Sequence, residues 1–282
     1  MTQDIADFEL QQEPGGAPLP PTSRPPSFVP LVVGALVVIA GAGAYIVTRQ
    51  DAATPAPSGS ATSTEATVEP PRPLGADVAA IDLPPLDETD ALVRELVRAL
   101  SSHPRLAAWL TTDGLIRNFT VVVDNVADGR TPANHLRVLR PTGGFRPIDV
   151  GGTMVMDLRS YDRYNDLAAA AASVDAAGAA RLYATLKPRI EDAYRELGQD
   201  APFDRAIERA IVHLLQAPVL QGEISLVPRG AVYDYNDSRI ERLSQAQKQL
   251  LRMGPRNMRI IQRKLRDIGL ALGIPPERLP ER

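Results

Sequence analysis

The chain contains no cysteine. Disulfides, thiolate metal sites, a cysteine nucleophile and a lipidated cysteine are excluded together. Histidine is scarce: three occur in 282 residues, His103, His135 and His213. Their separations match no metal-ligand spacing. His213 sits on an apolar helix face, where a hydrogen-bonded core role is expected, and His103 in "SSHP" suits a cap. Lysine is nearly absent too, with arginine ahead 28 to 3, which reads as a GC-rich genome before it reads as chemistry. No HExxH, G-x-S-x-G, Walker A or GxGxxG pattern is found, so no catalytic residue, metal or cofactor is assigned.

The chain also lacks a strong net charge, which is −3 overall. Its distribution is more informative. Residues 242–282 carry ten Lys or Arg against three acids, whereas residues 75–241 carry 18 against 24. The positive end is a local feature.

One long stretch lacks charge altogether. "FVPLVVGALVVIAGAGAYIV", Phe28 to Val47, is a run of 20 residues without Asp, Glu, Lys or Arg. At ~1.5 Å per residue it spans about 30 Å, the hydrocarbon thickness of a bilayer. Pro30 falls in the first turn, and Phe28 and Tyr45 lie where aromatic rings favour the interface. The spacing predicts a transmembrane helix over 28–48, with the lipid bilayer as its partner. A cleaved signal peptide is the rival, with "AGA" at Ala40–Ala42 as its site. The preceding 27 residues carry four acids and one Arg, which is not a short basic leader. Ala40 and Ala44 form a small-xxx-small pair, a pattern that also serves ordinary lipid packing.

Residues 1–27 read as a disordered tail. Residues 49–82 read as a Pro/Ala/Ser/Thr-rich linker, with too little apolar surface to fold. Arg24 and Arg49 flank the span one on each side, so charge does not orient it. The tether-like linker favours a short tail in the cytoplasm and the large domain in the periplasm of a single-pass bacterial inner-membrane protein.

Residues 83–273 read as one mainly helical globular domain with a small β-hairpin, and 274–282 as a C-terminal tail. Asp87 is expected to cap the first helix, with Leu92, Leu96, Val97 and Leu100 as its buried stripe. "DGLIRNFTVVVDNVADG" holds a strand-like Thr-Val-Val-Val run. Leu115, Ile116, Phe119, Val122, Val123 and Val126 nevertheless keep helical spacing, so a helix is expected. Residues 130–156 show no helical period and read as a Gly/Pro-rich loop with room for short strands. Two Ala-rich helices follow, the second kinked near Pro188 and ended by Gly198. "PFDRAIERAIVHLLQA" is another helix, and "GEISLVPRGAVYDYND" is the hairpin, turning near Pro228–Gly230.

Several blocks are specific: "LPPLDETDALVRELVRALSSHPRLAAWL", "NFTVVVDNVADGRTP", "RLYATLKPRIEDAYRELG", "LVPRGAVYDY" and "QKQLLRMGPRNMRIIQRKL". They resemble a bacterial family known as domain of unknown function 3014, over residues 83–272. The resemblance implies an N-terminal anchor and no particular activity. Within such a block "LVPRG" is a chance likeness to a thrombin cleavage sequence.

Two Tyr/Asp clusters carry potential chemistry. One holds Tyr161, Asp162, Tyr164 and Asp166; the other holds Tyr233, Asp234, Tyr235 and Asp237. Phenols with carboxylates suit saccharide binding or acid–base work. Capping and turn formation explain the same residues more simply. Asp234–Asn236 begins like a calcium loop but lacks its Gly and final Glu.

The last candidate is "LLRMGPRNMRIIQRKLRDIGLAL", where Gly254-Pro255 separates two helices. At 100° per residue, Arg259, Arg263 and Arg266 fall within about 80° of Arg256. Met258, Ile261, Leu265, Ile268 and Leu272 cluster opposite, and Lys248 and Arg252 extend the charge. The default reading is a solvated face. The functional one is an anionic partner: lipid headgroups, a wall polymer or an acidic protein. A DNA-binding helix–turn–helix fits Gly254 and Ile260 but not Gln249, Leu250 or Pro255, so nucleic acid is the least supported partner. The expected role is a non-enzymatic, membrane-anchored interaction module. An envelope enzyme using the Tyr/Asp clusters is the alternative, and a tethered DNA binder the second. Oligomeric state is left open.

Overall fold

A computed structural model of the chain describes residues 73–132, 135–230 and 232–281. The expected tail, the expected span 28–48 and most of the expected linker lie outside the described residues. Among the described residues, no helix is long and apolar enough to cross a membrane.

The core is built on helix α3 (Leu115–Ala127), and the helical spacing prevails over the β-branched run. Leu115, Ile116, Phe119, Val122, Val123 and Val126 are all buried. A strand would turn alternate residues of that set to solvent.

Helix α1 (Asp90–Arg98) precedes α3, and here the expected cap is displaced. Leu86–Glu88 form a 3-10 turn, and Thr89, not Asp87, holds the N-cap position. The reason is tertiary. Asp87 pairs with Arg117 at 2.7 Å. The Asp90 carboxylate accepts from the Gly114 and Leu115 amides, at 2.8 and 2.9 Å, and so caps α3 across the structure. Val93 and Val97 are the fully buried residues of α1; Leu92, Leu96 and Leu100 pack half-buried on the core. In α2 (Pro104–Trp109), His103 is the N-cap, and its Nδ1 accepts from the Arg105 amide at 3.2 Å.

The loop expected at 130–156 contains a hairpin. Strands β1 (Pro147–Val150) and β2 (Thr153–Met156) pair antiparallel, with Val150 opposite Thr153. Gly151 and Gly152 make the turn, both at positive φ as a tight two-residue hairpin requires. The first Ala-rich segment divides into a 3-10 stretch, Leu158–Tyr164, and α4 (Asn165–Ala172).

The longest helix, α5 (Ala176–Glu196), carries Pro188 inside it and stops before Gly198 at φ +77°. Helix α6 (Phe203–Leu215) lies against α3 along most of its length. Phe203 is the hub of the aromatic core, with ring centroids 5.0 Å from Tyr194, 5.5 Å from Phe119 and 6.3 Å from Tyr183. Full burial of such a ring contributes roughly 1.5–3 kcal/mol.

The expected hairpin follows as β3 (Leu226–Arg229) and β4 (Val232–Tyr235). It does not stand alone. Val155 bridges Ser225, and the Met156 amide donates to the Ile224 carbonyl at 3.1 Å, joining the two hairpins. The short helix α7 (Ser238–Glu241) leads to α8 (Gln245–Leu251), which opens with a capping box of Ser244 and Gln247. His213 Nε2 lies 2.7 Å from Ser244 Oγ, which gives it the hydrogen-bonded core role its position suggested.

The final helix, α9 (Gly254–Ala271), packs on α4, α5, α6 and α8. Met258, Ile261, Leu265, Ile268 and Leu272 are buried, as the rotational pattern requires. Both margins of the domain fold in. Ile274 and Leu279, in the stretch read as a tail, are buried. At the other margin the Leu74 amide donates to Asp204 at 3.1 Å and the Gly75 amide to the Leu272 carbonyl at 2.9 Å. Asp204 also accepts from Tyr183 Oη at 2.5 Å and pairs with Lys187 at 2.6 Å.

Candidate functional site

The basic C-terminal region separates into two parts. Arg256, Arg259 and Arg263 are exposed on one side of α9. None of the three takes part in a hydrogen bond or ion pair with the described residues. Arg259 borders a shallow groove of about 470 Å³ shared with Pro218, Val219, Pro280 and Glu281.

The remaining residues of that expected face are drawn elsewhere. Arg266 donates from Nη1 to the Leu279 and Pro280 carbonyls, at 3.1 and 3.0 Å, pinning the C-terminal stretch. Lys248 pairs with Glu241 at 2.5 Å and also donates to its carbonyl. Arg252 turns inward and donates to Gln249 Oε1 at 3.0 Å.

The turn that aims α9 depends on Gly254. Its φ of +81° is left-handed, and a Cβ there would come within 2.7 Å of Tyr161 Cδ2. Asn257, buried one turn on, donates to the Tyr161 carbonyl at 3.2 Å and to Asn165 Oδ1 at 3.1 Å. The 3-10 stretch and α9 are thus stitched together.

That stitching brings parts of the two Tyr/Asp clusters to one place. Tyr164 and Tyr235 are buried, Tyr161 is half-buried beside them, and Arg252 lies against both buried phenols. Burial pushes the Tyr161 and Tyr164 phenols up to about 12. Tyr235 is raised for the same reason. The phenols are therefore neutral donors at any physiological pH. Arg163, overlooked at the sequence level, stands with its guanidinium carbon 4.8 Å from the Tyr164 ring centroid and 5.8 Å from that of Phe145. Its burial lowers its affinity for a proton. Its flanking tyrosines in "YDRY" were the available signal, since guanidinium planes stack on rings. Tyr233 packs edge-on to Phe145 at 6.1 Å.

The carboxylates do not follow the phenols inward. Asp162 accepts from Asn165 at 3.2 Å and Asp166 lies 3.8 Å from Arg105. Asp234 pairs with Arg229 at 3.1 Å. Asp237 caps α7 and pairs with Arg239, which holds its carboxyl below the usual range. Each acid is engaged by a local or surface partner, and none faces a phenol across a cavity. Among the described residues, no group of three His, Asp or Glu could hold a metal ion.

No curated protein and no solved structure matches the chain. A family model described as "Protein of unknown function (DUF3014)" matches residues 115–269, from the first residue of α3 to the last turn of α9. The match takes in more than half of the chain, and the chain belongs to that family.

Proposed function

We propose that this protein is a non-enzymatic interaction module of the bacterial envelope, anchored once in the inner membrane through residues 28–48. Its helical domain presents Arg256, Arg259 and Arg263 to an anionic partner on the periplasmic side. One observation carries this reading: three exposed guanidiniums share a side of one helix and form no ion pair with the described residues. Elsewhere on the domain many arginines are paired, for example Arg117 with both Asp87 and Glu196. Three unpaired guanidinium forks suit phosphate and carboxylate oxygens.

The test uses the full-length chain in zwitterionic lipid nanodiscs. Binding to vesicles containing phosphatidylglycerol, to polyphosphate and to duplex DNA is measured at low and physiological salt. Replacing Arg256, Arg259 and Arg263 together by Gln is expected to weaken retention on vesicles or polyphosphate by about tenfold or more and to flatten its salt dependence. Equal retention of the triple variant would refute the anionic-partner role. DNA retention exceeding both other probes would move the protein to the nucleic-acid class.

A further inference from the structure

The groove beside Arg259 has two walls, and α9 holds both. One is the stretch that follows α6, residues 217–219. Gln262, buried on α9, donates from Nε2 to the Leu214 and Ala217 carbonyls at 3.0 and 2.9 Å, and so occupies carbonyls that the end of α6 would leave open. The other wall is Pro280 and Glu281. It is kept in place by the Arg266 bonds to the Leu279 and Pro280 carbonyls and by burial of the Leu279 side chain. Arg259, Gln262 and Arg266 follow one another at helical spacing, so the lining cation and both anchors belong to one side of one helix.

The lining is mixed in a way that a polyanion would not use. Pro218, Val219 and Pro280 give it apolar surface. Glu281 is exposed on the same groove as Arg259, and neither forms an ion pair with the described residues. A polyphosphate chain or an anionic lipid headgroup would bring like charge to Glu281 and leave the apolar surface uncovered. A polypeptide supplies all three complements: a carboxylate for Arg259, a main-chain N–H for Glu281 and an apolar side chain for the prolines and the valine. The volume, about 470 Å³, lies within the range of ordinary ligand pockets, roughly 300–1,000 Å³, and leaves room for such a side chain.

We infer that the anionic partner of α9 is a protein segment in which a carboxylate stands beside an apolar side chain, the carboxylate meeting Arg259 and the side chain entering the groove. This rests on the reading that the Arg256, Arg259 and Arg263 side of α9 binds an anion, and it narrows that anion to a polypeptide. The three arginines succeed one another along the helix, so further carboxylates of the same segment meet Arg256 and Arg263 while the groove fixes its register. Charge supplies attraction in common with any anion, and the apolar contact supplies the choice among them.

The test uses the full-length chain in zwitterionic lipid nanodiscs and three probes at physiological salt. Two are labelled peptides of alternating glutamate and glycine that differ only in a central leucine or serine; the third is polyphosphate. Fluorescence anisotropy reads the peptides, and competition reads polyphosphate. The leucine peptide is expected to bind about tenfold tighter than the serine peptide, the worth of one apolar side chain removed from water. Val219→Ser is expected to shrink that preference while keeping polyphosphate affinity, which shows that the variant is folded. Glu281→Gln is expected to tighten polyphosphate and to narrow its gap from the leucine peptide. The inference is overturned if the two peptides bind alike, or if Val219→Ser keeps the full leucine preference. In either case polyphosphate binding that is lost in the triple Gln variant of Arg256, Arg259 and Arg263 would leave the anionic reading standing. If neither the peptides nor polyphosphate bind, both readings fall together.

Discussion

Replacing Gly254 by Ala tests how the α8–α9 turn is held. Two costs are separable. The residue sits at φ +81°, where an L side chain meets its own backbone. That cost is roughly 1–2 kcal/mol. The new methyl would also stand 2.9 Å from Tyr161 Cβ and closer to its ring. Forcing that ring aside resembles overpacking, at about 1–3 kcal/mol. The total is about 2–5 kcal/mol, which for a domain of this size lowers the unfolding midpoint by about 5–15 °C. Gly198 provides the reference, because its φ is +77° and a Cβ there meets nothing within 4 Å. Gly198→Ala is expected to show the backbone cost alone. Circular dichroism of full-length variants under urea measures both. A double-mutant cycle with Tyr161→Ala completes the design: in that background Gly254→Ala should lose the part of its excess over Gly198→Ala that the ring causes, the contact with the Cβ of residue 161 remaining. The reasoning fails if Gly254→Ala costs no more than Gly198→Ala, or costs the same with and without the Tyr161 ring.

Two further expectations concern the body of the domain. Asp204→Ala leaves Lys187 and the Tyr183 hydroxyl without their carboxylate and frees the Leu74 amide. It is expected to destabilise by about 2–3 kcal/mol and to open residues near Leu74 to limited proteolysis; an unchanged cleavage rate would show that this latch is idle. Burial lowers the His213 affinity for a proton below the ordinary value of 6.5. The unfolded chain thus takes up a proton first as pH falls, so stability should begin to drop below about pH 6.5 and stop dropping once the folded histidine also protonates. His213→Gln should shrink the difference in unfolding midpoint between mildly alkaline and mildly acidic buffer, and an unaltered difference would place the titration elsewhere.

Helix α3 was legible because its apolar residues repeat on one face over its whole length, enough to outweigh four residues of strand preference. The buried side of α9 was legible for the same reason. The hairpin β1–β2 was not, since Ile148 and Val150 are exposed and the strands bury too little to alternate. Its register rests on Gly151 and Gly152 instead. Capping of α1 was misassigned because the rule is local, whereas Asp90 serves a helix more than 20 residues away. The same limit applies to the arginines. Arg266 and Arg263 look equivalent on a helical wheel, but the C-terminal stretch returns to occupy only Arg266. Convergence of Tyr164 with Tyr235 is a contact between distant segments, and neither local sequence carries a trace of it.

The bond from the Gly75 amide to the Leu272 carbonyl fixes where a pull on the leading segment would be felt. Force transmitted from that side enters through Leu74 at Asp204 on α6 and through Gly75 at the far end of α9, the helix that bears the arginine row, and not at α1. Arg256 lies about 24 Å from the α9 entry at ~1.5 Å per residue, and Arg263 about 14 Å. A partner gripping the row while the leader is held would therefore load α9 along its length, in parallel with the Leu74–Asp204 bond beside the Phe203 ring.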